Sequence, residues 1–249
     1  MSTPKKTLLL GFETHSTEKI QEALAAGIDA NGPLDDGKTP LTWLVEMYLR
    51  SPKFSDCVRC LMQAGARCSD TGFLAVLLDD AELLGAELRK NPSLIHHRVD
   101  IRCAFTPLIG ASLLHVAAEF GLTRAAKVLI EAGADVETRA AVDDHGFNGH
   151  TPIFHTVCQH RNHCQPVLRL LLERGAKTDT RLAGITWGKG SEWETTIFDA
   201  TPVSYAQAGL LRQFQRDERD VYENIKLLTR ASGRAIPEEL NVPNKYLLS

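Results

Sequence analysis

The sequence carries little excess charge and no concentrated run of one sign. Its 249 residues include 28 Lys and Arg against 31 Asp and Glu, which gives a formal net charge of −3. No run of Lys or Arg is longer than Lys5–Lys6. Because proteins that bind nucleic acids or anionic lipids normally present clustered basic side chains, we expect neither a nucleic acid nor a membrane as partner.

Long apolar runs and a regular cysteine spacing are also missing. The apolar stretch Leu8–Phe12 is much shorter than the apolar region of a signal peptide, and no window of about 18 apolar residues could span a membrane. The six cysteines are irregularly spaced, which favours reduced thiols over a disulfide framework. These features predict a cytoplasmic protein.

The chain does contain an internal repeat. About 43% of its residues are apolar and 24% are charged, as in a globular protein with a substantial core. Four short strings each have the pattern of a helix that ends at a glycine, and those glycines are Gly27, Gly65, Gly133 and Gly175. The glycines are 38, 68 and 42 residues apart, and 68 is twice 34. This spacing predicts a repeat of about 33 residues with one degenerate unit between Gly65 and Gly133.

A second motif lies upstream of these helix ends. It occurs as Thr39–Thr42, Ser112–His115, Thr151–Phe154 and Thr201–Ser204. A Thr or Ser hydroxyl can cap a new helix, and a proline in its first turn (Pro40, Pro152, Pro202) has a preset φ. The strings resemble the Thr-Pro-Leu-His signature of ankyrin repeats, although only one of the four keeps the histidine, as His115, and Phe154 replaces it in the third. The run from Ser112 to Val136 resembles that family nearly position for position.

The resemblance implies one ankyrin-repeat domain over residues 1–249. We predict an all-α solenoid of stacked helix-turn-helix units with long, partly irregular or hairpin-like loops between repeats. The predicted units are a partial repeat at 14–31, repeats near 32–69, 70–97, 98–137, 138–179 and 180–233, and a C-terminal cap at 234–249. The resemblance further implies a non-catalytic module, without cofactor, that binds a protein partner through its concave face and its projecting loops, or fingers. We expect a monomer rather than a homo-oligomer.

Two fingers hold the predicted partner-binding residues. The loop Thr180–Ala200 contains Trp187, Trp193 and Phe198, and aromatic side chains of this kind are enriched at binding hot spots. Alternatively, the three rings pack under their own loop. The alternation of Trp193, Thr195 and Ile197 also suits a short hairpin with one buried side. The finger before it supplies Asp143, Asp144, His145 and Phe147.

Other clusters leave chemical functions open. Cys57 and Cys60 have the spacing of a redox pair, but in the repeat alignment both occupy inward positions of a helix. The residues Cys158, His160, His163 and Cys164 include enough donors for a zinc ion without matching a closed zinc module. Alternatives to a general binding module are therefore a dedicated inhibitor or immunity-type protein, or a metal- or thiol-dependent enzyme that uses the region 155–164.

Overall fold

A computed structural model describes residues 3–102, 105–190, 192–211 and 216–233. Pairs of short helices follow one another along the chain, and longer connections separate some of the pairs. The helices are α1 (Pro4–Thr14), α2 (Thr17–Ala25), α3 (Pro40–Glu46), α4 (Phe54–Gln63), α5 (Thr71–Leu77), α6 (Ala81–Lys90), α7 (Leu113–Phe120), α8 (Thr123–Glu131), α9 (Gln165–Glu173), α10 (Pro202–Ala208) and α11 (Glu218–Ala231). Short 3₁₀ helices occupy Asp35–Gly37, Pro92–His96, Pro152–His155 and His160–Asn162.

The expectation of an all-α fold is wrong, because two connections form antiparallel sheets. The strands are β1 (Arg98–Ile101), β2 (Leu108–Ser112), β3 (Leu182–Trp187) and β4 (Thr195–Ala200). β1 pairs with β2, and β3 pairs with β4. These connections are long enough for their two halves to satisfy each other's backbone hydrogen bonds, and they carry the β-branched and aromatic residues that suit strands. The fold is therefore mixed α and β.

The helix ends agree with the predicted motifs. Gly27, Gly65, Gly133 and Gly175 all adopt φ between +82° and +96°, the left-handed conformation that commonly follows the last helical turn. The hydroxyls of Thr39 and Thr201 accept the backbone N–H three residues ahead, and Ser112 forms a capping box with His115. Thr151 forms no such cap, and Pro152–His155 is a 3₁₀ helix rather than an α-helix.

The helix pairs stack in sequence order around one continuous core. Among the first helices of the pairs, α7 packs against α5 and against the 3₁₀ helix Pro152–His155, which in turn contacts α10. Among the second helices, α8 lies between α6 and α9, and α9 packs against α11. Large, fully buried side chains extend from one end of the stack to the other; they include Phe12, Phe54, Leu77, Leu84, Phe154 and Tyr205.

The predicted repeat boundaries remain a prediction. The two helices expected in the degenerate unit are present as α5 and α6, and Asn91 caps the end of α6 where other pairs have glycine. The turns 47–53 and 156–164 are much longer than the turn between α7 and α8. The predicted cap at 234–249 lies outside the described residues.

Candidate functional site

Three fingers project from the stack and are joined side by side by their backbones. We call them the first finger (98–112), the second finger (139–150) and the third finger (182–200). The Ala141 N–H donates to the Ile109 carbonyl at 2.9 Å, which joins the second finger to the first. The Asn148 N–H donates to the Gly184 carbonyl at 2.7 Å, which joins it to the third. The fingers therefore present one connected surface rather than three separate loops.

Glycine allows the fingers to approach this closely. A Cβ placed on Gly110 would lie 2.7 Å from the Ala141 Cβ, and one on Gly184 would lie 3.0 Å from the Phe147 ring. Arg98 strengthens the first junction, because its guanidinium donates to the Arg139 carbonyl at 2.6 Å and to the Gly110 carbonyl at 3.1 Å. Larger side chains at either glycine would push the fingers apart.

The register of the third finger decides which side chains point outward. Phe198 lies opposite Gly184, and Trp187 lies opposite Thr195. Since side chains alternate between the faces of a strand, Phe198 and Trp187 belong to opposite faces. The prediction of a hairpin with one buried side agrees with this arrangement.

Trp187 is on the buried face. Its ring stacks on Phe105 of the first finger with a centroid distance of 4.6 Å, and Ala208 of α10 completes the cluster. A hydrogen bond of 2.6 Å between the hydroxyls of Thr106 and Tyr205 fixes the same part of the first finger to α10. Trp187 therefore supports the hairpin from inside.

Trp193 and Phe198 remain accessible, in contrast to Trp187. Trp193 folds over Gly188 in the turn of the hairpin and is still 43% exposed. Phe198 is 67% exposed. Among the described aromatic rings it contacts only that of Phe147, in an edge arrangement with 5.5 Å between the ring centroids. The alternatives of an exposed and a self-packed aromatic loop thus each describe part of the finger.

The second finger has a tip built by Asp143. Its Oδ1 accepts the N–H groups of His145 and Phe147, both at 3.0 Å, and its Oδ2 accepts from the Asn148 amide at 3.1 Å. These three hydrogen bonds engage both oxygens of the Asp143 carboxylate and fix the turn 143–147. Asp144 and His145 are exposed at the tip, and Phe147 covers Gly184.

A buried polar network anchors the second finger to α7. Every residue of α7 is buried, so its polar members need partners inside the protein. The Ser112 N–H donates to His115 Nδ1 at 3.1 Å, which leaves His115 Nε2 to donate to the His150 carbonyl at 3.0 Å. Burial lowers the pKa of His115 to about 3, so this ring is neutral and keeps that tautomer.

Glu119 is the centre of the same network. Its carboxylate accepts from Arg50 Nε at 2.9 Å, from His155 Nδ1 at 2.7 Å and from Gln159 Nε2 at 3.0 Å. Burial raises the pKa of the Glu119 carboxyl, but Arg50 and His155 outweigh burial and hold that pKa below its usual value. His155 Nε2 in turn lies 3.0 Å from His150 Nε2, so the network reaches the base of the second finger.

Sequence reasoning did not single out Arg50 or Glu119. The available signal was the charge of Glu119 within the apolar string Leu113–Phe120, since a charge in a buried helix requires a partner. The partner itself lies 69 residues away in the chain.

Comparison with known proteins identifies the unit that contains His115 and Glu119. A family model described as ankyrin repeat matches residues 109–141. The chain contains an ankyrin repeat. This repeat comprises most of β2, all of α7 and α8, and the first residues of the second finger, and it confirms the family resemblance seen in the sequence. No curated protein matches the chain.

Next to the ankyrin repeat, the proposed metal ligands do not converge. Sγ of Cys164 lies 3.3 Å from His163 Nε2, whereas His160 is exposed in the 3₁₀ helix His160–Asn162. The described residues contain no group of three or more His, Cys, Asp or Glu side chains arranged to hold a metal ion. Within the region 155–164, the Gln159 side chain donates to the His155 carbonyl, and Arg161 and Asn162 adopt positive φ.

The thiols of this region and of α4 are held in the protonated form. Burial raises the pKa of Cys158 to about 11 and that of Cys164 well above its usual value. Burial likewise raises the pKa of Cys57 to about 12 and raises that of Cys60. Since the thiolate is the reactive form, these side chains are suited to packing rather than to nucleophilic or redox chemistry.

No helix among the described residues is long and apolar enough to cross a membrane.

Proposed function

We propose that this chain is a non-catalytic module that binds a partner protein through its joined fingers. The ankyrin repeat at 109–141 indicates a protein–protein interaction unit in general. The observation that carries the narrower proposal is the distribution of exposed apolar side chains. Of seven large hydrophobic residues exposed among the described residues, four lie on the fingers: Ile109, Val142, Trp193 and Phe198.

These four side chains have the properties of binding residues. Exposed apolar groups gathered on one part of a surface commonly mark an interaction site, whereas scattered ones do not. The finger backbones are fixed to each other and to the buried network below, so little ordering is required when a partner binds. We define Ile109, Val142, Phe147 and Phe198 as the finger surface, and we propose that Trp193, which contacts Trp187 at the other face of the third finger, adds a separate contact.

The proposal also covers the cellular compartment and the oligomeric state. The five cysteines among the described residues are free thiols, which supports a reducing compartment, and we place the protein in the cytoplasm. We also propose that it acts as a monomer, since the finger surface is offered here to a different protein.

A comparison of two surface variants tests this function. Val142 and Phe198 are 60% and 67% exposed, so Val142→Ala/Phe198→Ala removes apolar area from the finger surface without opening a cavity. Leu10→Ala removes a similarly exposed side chain from α1 and serves as the matched control. Trp187→Ala is unsuitable for this purpose because the ring is part of the interior.

The assay combines affinity capture from the native lysate with a photo-crosslinking residue at position 198 or position 10, and circular dichroism confirms folding of each variant. We expect one protein to be captured by wild type and Leu10→Ala, to be lost from the double variant and to crosslink at position 198 only. Equal capture by all three proteins, or crosslinking to a second copy of the chain, would contradict the proposal.

A further inference from the structure

A cleft lies between α3 and the tips of the first and third fingers. It has a volume of about 270 Å³ and is lined by Lys38, Trp43, Glu46, Tyr48, Arg102 and Lys189. Three chain segments that are distant in sequence therefore form one depression, which includes the first helix of an earlier pair and residues of two fingers.

The charge of this cleft is opposite to that of the whole chain. Its lining includes three cationic side chains and one carboxylate, that of Glu46. The Glu46 carboxylate forms an ion pair with Lys38, with 3.0 Å between Oε2 and Nζ. Arg102 and Lys189 are both exposed at the finger tips. Lys189 lies 4.0 Å from the Asp143 carboxylate, which is already engaged in its own turn. The cleft is thus locally positive in a protein whose formal net charge is −3.

Aromatic side chains form the rest of the wall. Tyr48 belongs to the exposed large hydrophobics, and Trp43 is half-buried with the Lys38 ammonium 5.7 Å from its ring centroid. The volume lies just below the range of roughly 300 to 1,000 Å³ that is typical of small-molecule sites. It suits one or two side chains of a polypeptide that runs across the surface.

We propose that the cleft binds an acidic, extended segment of the partner protein, a specification that rests on the function proposed above. One apolar or aromatic side chain of that segment packs between Trp43 and Tyr48, while neighbouring carboxylates pair with Arg102 and Lys189. A nucleic-acid strand also combines rings with negative charge. However, the carboxylate in the lining and the net negative charge of the chain disfavour a continuous polyanion.

Selection from a random dodecapeptide phage library tests this specificity even while the partner is unidentified. The baits are wild type, Arg102→Glu/Lys189→Glu and the control Lys127→Glu, which reverses an exposed charge on α8. We expect wild type and the control to enrich peptides with net negative charge and an apolar or aromatic residue. The affinity of the most enriched peptide, measured by fluorescence anisotropy, should fall about tenfold or more in the double variant and weaken as salt is added. Trp43→Ala should weaken it as well.

Other results overturn the inference. Enrichment of neutral or basic peptides, equal affinity for the double variant, or displacement of the peptide by a thymidine oligonucleotide at similar concentration would each do so. The result is separable from that of the finger-surface experiment. Val142→Ala/Phe198→Ala leaves the cleft intact. If this variant loses the captured protein while wild type selects no acidic peptide, the finger surface stands as the binding site and only the proposed acidic segment is rejected.

Discussion

Replacement of Glu119 by Gln should destabilise the protein far more than replacement of a surface carboxylate. The change keeps the shape of the side chain but removes the charge that faces Arg50, and both side chains are buried. A buried ion pair that loses one member leaves the other charge without compensation, which typically costs about 3 to 5 kcal/mol. Since domains are stable by roughly 5 to 15 kcal/mol, the loss should be easy to measure by urea denaturation followed by circular dichroism.

The pH of the measurement follows from the sign of the pKa shift. Because the pKa of Glu119 is lowered in the folded protein, its stabilising contribution is fully present above the unfolded pKa of about 4.3 and is lost as the pH falls through the folded value. Neutral pH therefore shows the whole effect. Glu131→Gln is the matched control, because Glu131 lies on the surface of α8 with Lys127 3.9 Å away, and exposed pairs contribute little.

A double variant separates loss of charge balance from loss of packing. Arg50→Met/Glu119→Gln removes both charges, so it should recover a substantial part of the stability lost in Glu119→Gln. A cost below about 1 kcal/mol for Glu119→Gln, or simple addition of the two single effects, would refute the claim that this pair is a tightly coupled buried unit.

Three further outcomes are expected. Burial lowers the pKa of His15 to about 4, so the free energy of unfolding should decline as the pH falls from about 6.5 towards that value. His15→Asn, which tolerates the positive φ of 46°, should reduce this pH-dependent loss, measured by urea denaturation, by on the order of 3 kcal/mol. An unchanged pH profile counts against this role of His15. Gly133→Ala should destabilise the protein by about 1 to 2 kcal/mol because φ at this position is +96°. Gly85→Ala lies inside α6 and should stabilise the protein by about 0.5 to 1 kcal/mol. If thermal denaturation ranks the two variants in the reverse order, the assignment of Gly133 to a helix end is wrong. Gly188→Ala places a Cβ 2.0 Å from Trp193, so the displaced ring should show red-shifted fluorescence and easier quenching by acrylamide, and spectra identical to wild type would mean that the ring does not rest on the turn.

The helix ends could be predicted because they depend on local conformation. A glycine that follows an apolar helical pattern indicates the left-handed residue past the last turn, and the structure has that conformation at Gly65 and Gly133. The caps at Thr39 and Thr201 follow from hydroxyls placed just before a proline. None of these features needs information from a distant part of the chain.

The inward packing of the third finger and the polar network depend on residues that are distant in the chain, so the sequence predicted the first only in part and did not predict the second. The hairpin of the third finger was one of two alternatives, and only its register shows that Trp187 faces inward while Phe198 faces outward. Glu119 could be recognised as a charge in an apolar helix, but its pairing with Arg50 results from the enlarged turn 47–53 returning to α7. The motif at Thr151 did not predict the local structure correctly, because Thr151 forms no side-chain cap there and the following segment is a 3₁₀ helix.

The two backbone junctions of the second finger make its tip a natural position for grafting. Both bonds, at Ala141 and Asn148, lie outside the turn 143–147, and the neighbouring fingers hold them from either side. A foreign recognition loop that replaces this turn would therefore be displayed between two preformed hairpins with its ends already fixed. Exchange of this short turn offers a way to redirect the protein to new targets while α7 and its buried partners remain unchanged.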